Sequence, residues 1–278
     1  MVIRFRALAA LAAVASLHAV PAAAVTDGEL DGERHPYVGI MVAKDASGAP
    51  LWRCSGTLLS PRVYLTAGHC TEAPAVTAEI WFVADATNAQ AIGYPFTGQA
   101  RGTTHTHPDY LPFAFTYRDV GVVLLDAPFE SPNGVYGQLP KLNQLDALKT
   151  RRGTQDVTFT AVGYGLQQSF PDAASWKENN KRIRMLATPK LLQINVPGFT
   201  GDFSMLLSNN ANTGGTCFGD SGGPNFLGDS NVVAGVTSFG INGNCAGTGG
   251  VFRMDRSWAL YWVQQFLIEN PPPKARGR

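Results

Sequence analysis

Apolar positions along this chain come in short runs. Val63-Tyr64-Leu65 is one, and Val120-Gly121-Val122-Val123-Leu124-Leu125, closed by Asp119 and Asp126, is another. Runs of this length, rich in β-branched residues, read as buried strands. The chain also has 30 glycines and 18 prolines, and short β-rich runs separated by such residues predict an all-β fold with many turns. Two segments depart from that pattern. Arg256 to Leu267 carries apolar residues at helical spacing and predicts an amphipathic helix against the protein core. It lacks the basic face of a membrane-surface helix. Pro271-Pro272-Pro273 ends it, and 271–278 is expected to be a disordered tail.

The other exception is the apolar stretch from Ala7 to Val20, too short to span a bilayer. With Arg4 and Arg6 before it and Ala22-Ala23-Ala24 after it, residues 1–24 have the form of a secretory signal peptide. Its removal leaves about 254 residues, within the range of a single β-barrel protein. The expected localisation is therefore secreted, where disulfides are stable. Four cysteines suit that setting, and sequence alone leaves three pairings open. Zinc is disfavoured by the absence of close Cys-x-x-Cys spacing, and neither a metal site nor a cofactor is expected. A formal charge of +1 gives no argument for nucleic acid or a charged membrane surface.

The chemistry concentrates in Thr216-Cys217-Phe218-Gly219-Asp220-Ser221-Gly222-Gly223-Pro224. A serine hydroxyl near neutral pH needs a base to take its proton and donors to hold an oxyanion. The surrounding glycines permit a tight turn that aims N–H groups at one point. Gly219 to Gly223 formally fits an α/β-hydrolase elbow, in which the histidine follows the serine. All five histidines (His18, His35, His69, His105, His107) precede Ser221, so that reading fails. An order of His, then Asp, then Ser remains. His69, at the exit of the Val63-Tyr64-Leu65 run, is the best base. Asp119, a carboxylate at the mouth of a buried strand, is the best orienting acid. Asp109 and Asp126 read as turn residues.

With these sites in view, the chain resembles the trypsin/chymotrypsin-like serine peptidases, in particular secreted bacterial members. The resemblance covers most of the chain beyond residue 25. It rests on Cys54-Ser55-Gly56-Thr57-Leu58-Leu59, Thr66-Ala67-Gly68-His69-Cys70, the Asp119 to Leu125 run and Gly163-Tyr164-Gly165. It continues through Gly219 to Pro224, Gly235 to Gly240, Gly250-Val251-Phe252 and the Trp258 to Trp262 segment. It implies two six-stranded antiparallel β-barrels within residues 25–270, breaking at about 128–152, with the cleft between them and the C-terminal helix on the second barrel. It implies disulfides Cys54–Cys70 and Cys217–Cys245, and a triad of His69, Asp119 and Ser221. The oxyanion would be held by the N–H groups of Gly219 and Ser221. It also implies that a new N-terminus at Val25 folds inward and pairs with Asp220.

Substrate contacts follow from the same resemblance. Gly215 matches the floor of the specificity pocket, Thr216 lies beside it, and Gly240 and Gly250 match its walls. Ser238 would hydrogen-bond near Asp119, and Ser238, Phe239 and Gly240 would pair with extended substrate backbone. An uncharged floor argues against Lys or Arg specificity, Thr237 against Glu specificity, and an open slot for a large apolar side chain. Lys177, Lys181, Arg182 and Arg184 read as a solvated loop with possible substrate contact. The expected partners are a protein or peptide substrate and a proteinaceous inhibitor, with the enzyme a monomer. A catalytically silent binding protein on the same scaffold, and an esterase using the same triad, are the other readings.

Overall fold

A computed structural model of the chain describes residues 25–112, 117–148, 156–167 and 181–272. The expected leader at 1–24, most of the Leu166 to Arg184 segment and the end of the tail lie outside the described residues. Among the described residues the first half carries seven strands: β1 (Glu29–Leu30), β2 (Val38–Lys44), β3 (Pro50–Leu58), β4 (Val63–Thr66), β5 (Thr77–Trp81), β6 (Ala100–Thr106) and β7 (Gly121–Leu125). Strands β2 to β7 close into a six-stranded barrel in the order β2-β3-β4-β7-β6-β5. Its filling is legible in the runs that predict it: Val63, Tyr64, Leu65, Val122, Val123 and Leu125 are all buried. Closure leaves this barrel without an edge strand.

The second half carries β8 (Phe159–Gly163), β9 (Met185–Ala187), β10 (Leu191–Val196), β11 (Gly201–Asn209), β12 (Pro224–Leu227), β13 (Val233–Gly240) and β14 (Gly247–Arg253). Here the sheet is curled and eight-stranded, in the order β1-β9-β8-β12-β13-β14-β11-β10. Strand β1 crosses over from the N-terminus to form one edge. It is two residues long, and β10 at the other edge pairs with β11 through two register shifts. Such short or bulged edges resist further pairing. Phe159, Leu191, Met205, Leu207 and Val251 form this half's own core.

The helix α1 (Ser257–Glu269) does not pack on the second half alone. Trp258 meets Phe203 and Phe252 of the second sheet edge-on. Further along, the ring of His107 packs against Trp258 and Trp262, and that of His105, on β6, against Phe266. The helix therefore ties the two halves together, because its apolar stripe is long enough to span both.

A second tie corrects the reading of Arg184 as part of a solvated loop. Arg184 is fully buried, and its Nε donates to Asp31 Oδ2 at 2.7 Å. Its Nη1 donates to the carbonyls of Val38 and Phe82 and to the Tyr164 hydroxyl, and its Nη2 to the Gly32 carbonyl. A buried charge needs this degree of pairing. Arg182 is half-buried, its guanidinium 4.8 Å from the Tyr94 ring centroid.

Candidate active site

His69 leaves β4 on a short 3-10 turn, Gly68–Cys70. Asp119 precedes β7, which pairs with β4, so adjacent strands bring the two side chains to one rim of the barrel. The Asp119 carboxylate is wholly buried and accepts twice from His69: from the backbone N–H at Oδ1 and from Nδ1 at Oδ2, both at 2.8 Å. Holding the proton on Nδ1 leaves Nε2 as the lone-pair nitrogen. Burial opposes the imidazolium, but the charge and hydrogen bond of Asp119, with a smaller contribution from Glu72, leave the His69 pKa raised above its ordinary 6.5.

The second sheet supplies a third bond to the same carboxylate. Ser238 Oγ donates to Asp119 Oδ2 at 2.5 Å. A bulge makes this possible: Thr237 pairs with Val251 and Phe239 with Gly250, so Ser238 is the extra residue of the bulged strand. A bulge re-aims the extra residue, here toward the other half of the molecule.

Ser221 sits on the turn between Cys217 and β12. Cys217 and Gly165 N–H groups hold the Asp220 carboxylate at 2.9 and 2.7 Å, and the Ser221 carbonyl accepts from Ser55 N–H at 2.8 Å. Two glycines here are obligatory. Gly219 has φ +97°. Gly222 has φ +77°, and a Cβ on it would come within 2.0 Å of Thr66 Oγ1. Leu166 N–H binds the Phe218 carbonyl at 2.9 Å. In a planar trans peptide the N–H points opposite to the C=O, so the Gly219 N–H is directed away from Leu166. Burial pushes the Asp220 carboxyl up to about 7, against the Cys217 and Gly165 N–H groups and the charge of Arg53, which favour the anion.

His69, Gly219 and Ser221 line one cleft of about 550 Å³ between the two halves. Thr216, Ser238, Phe239 and Gly240 line it as well. Gly215 and Gly250 do not. Gly215 pairs with Thr26 behind the wall, and a Cβ on it would lie 2.3 Å from Asn209 Cγ. Gly250 is covered by the Phe239 ring, 2.3 Å from where its Cβ would stand. Phe218, Phe239 and the Cys217–Cys245 disulfide instead give this end of the cleft an apolar lining without a charged side chain. The sequence reading missed Trp52, Arg53, Glu72 and Tyr110, all in the cleft. Arg53 and Glu72 flank the Cys54–Cys70 disulfide in sequence, and that adjacency to His69 was the available signal.

Val25 is fully buried, packed with Met185 and Ala187, and Thr26 pairs with Gly215. The N-terminal segment therefore lies against the stretch that leads into the Ser221 turn. Val25 itself has φ +55°, a region in which a β-branched residue is an outlier.

The family model described as Trypsin matches residues 31–258. Among solved structures, a collagenase ("HL collagenase") superposes with a TM-score of 0.63 at 21% identity, covering 86% of this chain and 97% of its own. Human heparin binding protein superposes with a TM-score of 0.61 at 18% identity, covering 89% and 98%. At such identities these structures speak for the fold alone. The match of the family model over most of the sequence, together with the fold, establishes that the chain belongs to the trypsin family.

Proposed function

We propose that this protein is a secreted serine endopeptidase that cuts peptide bonds through an acyl-enzyme. Ser221 attacks the scissile carbonyl while Nε2 of His69 takes its proton. Asp119 fixes the tautomer and stabilises the imidazolium, and the N–H groups of Gly219 and Ser221 receive the oxyanion. The protonated His69 then gives its proton to the leaving nitrogen, and water releases the acyl group. The observation that carries this reading is the doubly bonded His69–Asp119 pair facing the cleft that Ser221 shares. The apolar, uncharged end of the cleft supports a large apolar side chain on the acyl side of the bond.

Secretion is supported by the form of residues 1–24 and by the two disulfides. Cleavage after Ala24 would free the Val25 amine as a cation for Asp220. Two observations support this step. Burial holds Asp220 up to about 7, against the charge of Arg53, which favours the anion. The positive φ of Val25, a conformation that costs a β-branched residue roughly 1–2 kcal/mol, ceases to exist once Val25 is the terminus.

A non-catalytic binding protein is the second reading, given that a heparin binding protein shares the fold. All three triad residues are present, which favours the enzyme. Hydrolysis of a peptide library by wild type and by Ser221→Ala decides between them. The endopeptidase reading requires cleavage by the first and nearly none by the second. A folded wild type that cuts no peptide would refute it, and turnover of esters alone would favour an esterase.

A further inference from the structure

Arg53 stands in the catalytic cleft without a part in the triad. It lies on β3, immediately before the cysteine whose disulfide reaches Cys70, the neighbour of His69. Its guanidinium is beside the oxyanion loop: a Cβ on Gly219 would lie 2.9 Å from Nη2 and 3.4 Å from Nε. The two ends of the cleft differ in charge. The second half lines it with Thr216, Cys217, Phe218, Thr237, Phe239 and Gly240, all uncharged, and the first half contributes Arg53 and Glu72.

The chemistry decides which part of a substrate meets Arg53. The general acid must stand beside the leaving nitrogen, so the leaving-group peptide lies on the His69 side, over the first barrel. The side chain on the acyl side enters the slot of the second half. Glu72 is coupled to His69 and Asp119, whereas Arg53 reaches the Gly219 loop. A guanidinium offers a fork of donors that matches a carboxylate.

We infer that Arg53 selects peptides carrying Asp or Glu within the first two residues after the scissile bond. This rests on the endopeptidase reading and adds a requirement on the leaving-group side that the apolar slot does not supply.

The test uses internally quenched peptides identical except for Glu or Gln at the first, or at the second, residue after the cut. The ratio of kcat/KM within one enzyme preparation cancels its active fraction. For wild type at low salt the Glu/Gln ratio should be about 2 to 5 at one of the two positions, the size of a partly exposed ion pair, and it should shrink as salt screens the charges. Arg53→Gln should bring that ratio to about one, and Arg53→Glu should favour a Lys peptide over the Glu peptide. A wild-type ratio near one overturns the inference while leaving the endopeptidase intact, and is also the outcome if Arg53 acts only on the oxyanion. A ratio retained in Arg53→Gln overturns it too. Silence toward every peptide would refute both readings.

Discussion

Ser238 donates its hydroxyl proton to Asp119 across the junction of the two halves, at 2.5 Å. The carboxylate that orients His69 is thereby fixed by groups from both the closed barrel and the curled sheet. Coupling of this kind makes the alignment of the base depend on how the halves are docked.

The first prediction concerns that shared carboxylate. Asp119→Asn should lower kcat by about 10⁴, because the amide favours the wrong imidazole tautomer. Ser238→Ala removes one bond to a charged group and should cost about tenfold. Steady-state kinetics on one peptide substrate measure both. An Asp119→Asn protein with full activity would show that the acid has been misassigned.

The pH profile tests the electrostatics of the base. His69 must be neutral to accept a proton, and its pKa is raised above 6.5 with Glu72 among the causes. The acidic limb of kcat/KM should therefore fall above pH 6.5 in wild type. Glu72→Gln removes a charge that favours the imidazolium, so its limb should move to lower pH. A limb that does not move, or moves upward, contradicts this arrangement.

Arg184 and Asp31 offer a test of the fold's internal tie. Arg184→Met leaves the buried Asp31 carboxylate with His35 as its partner and removes the donors to the Val38, Phe82 and Gly32 carbonyls. It should destabilise the protein by about 3–5 kcal/mol, whereas adding Asp31→Leu should recover part of that loss. Denaturant unfolding of the two variants measures the difference. A loss below about 1 kcal/mol for Arg184→Met would show that the buried pair is dispensable.

Processing at Val25 predicts a difference between two forms of the protein. A chain beginning at Val25 should be more stable at pH 8 than one extended by two alanines. In the extended chain Asp220 is pushed up to about 7 from its ordinary 3.8. The folded state then binds more protons than the unfolded state between those values, so its stability rises as pH falls through 7. The gap between the two forms should accordingly narrow below pH 7. N-terminal sequencing of secreted, active protein should begin at Val25, and a start several residues away would discard the pairing.

The chemistry of the site was more legible in the sequence than its walls. His69, Asp119 and Ser221 sit in local patterns that force their placement: a strand exit, a strand mouth and a turn of glycines. The disulfides followed from the resemblance, and the structure joins Cys54 to Cys70 and Cys217 to Cys245. Gly215 and Gly250 were matched by position, yet the side chains that displace them from the cleft, Asn209 and Phe239, lie on other strands or across a bulge. Arg184 was read as solvated together with Lys177, Lys181 and Arg182 of the same segment; its burial depends on Asp31, 153 residues away. Long-range pairing of that kind leaves no local trace.

The most direct test of the triad is labelling of the mature protein with a fluorophosphonate, followed by mapping of the modified peptide. A single adduct on Ser221, largely lost in His69→Ala, is the predicted result. No adduct on folded protein, an adduct on another serine, or labelling undiminished without the imidazole would contradict the proposed catalytic site.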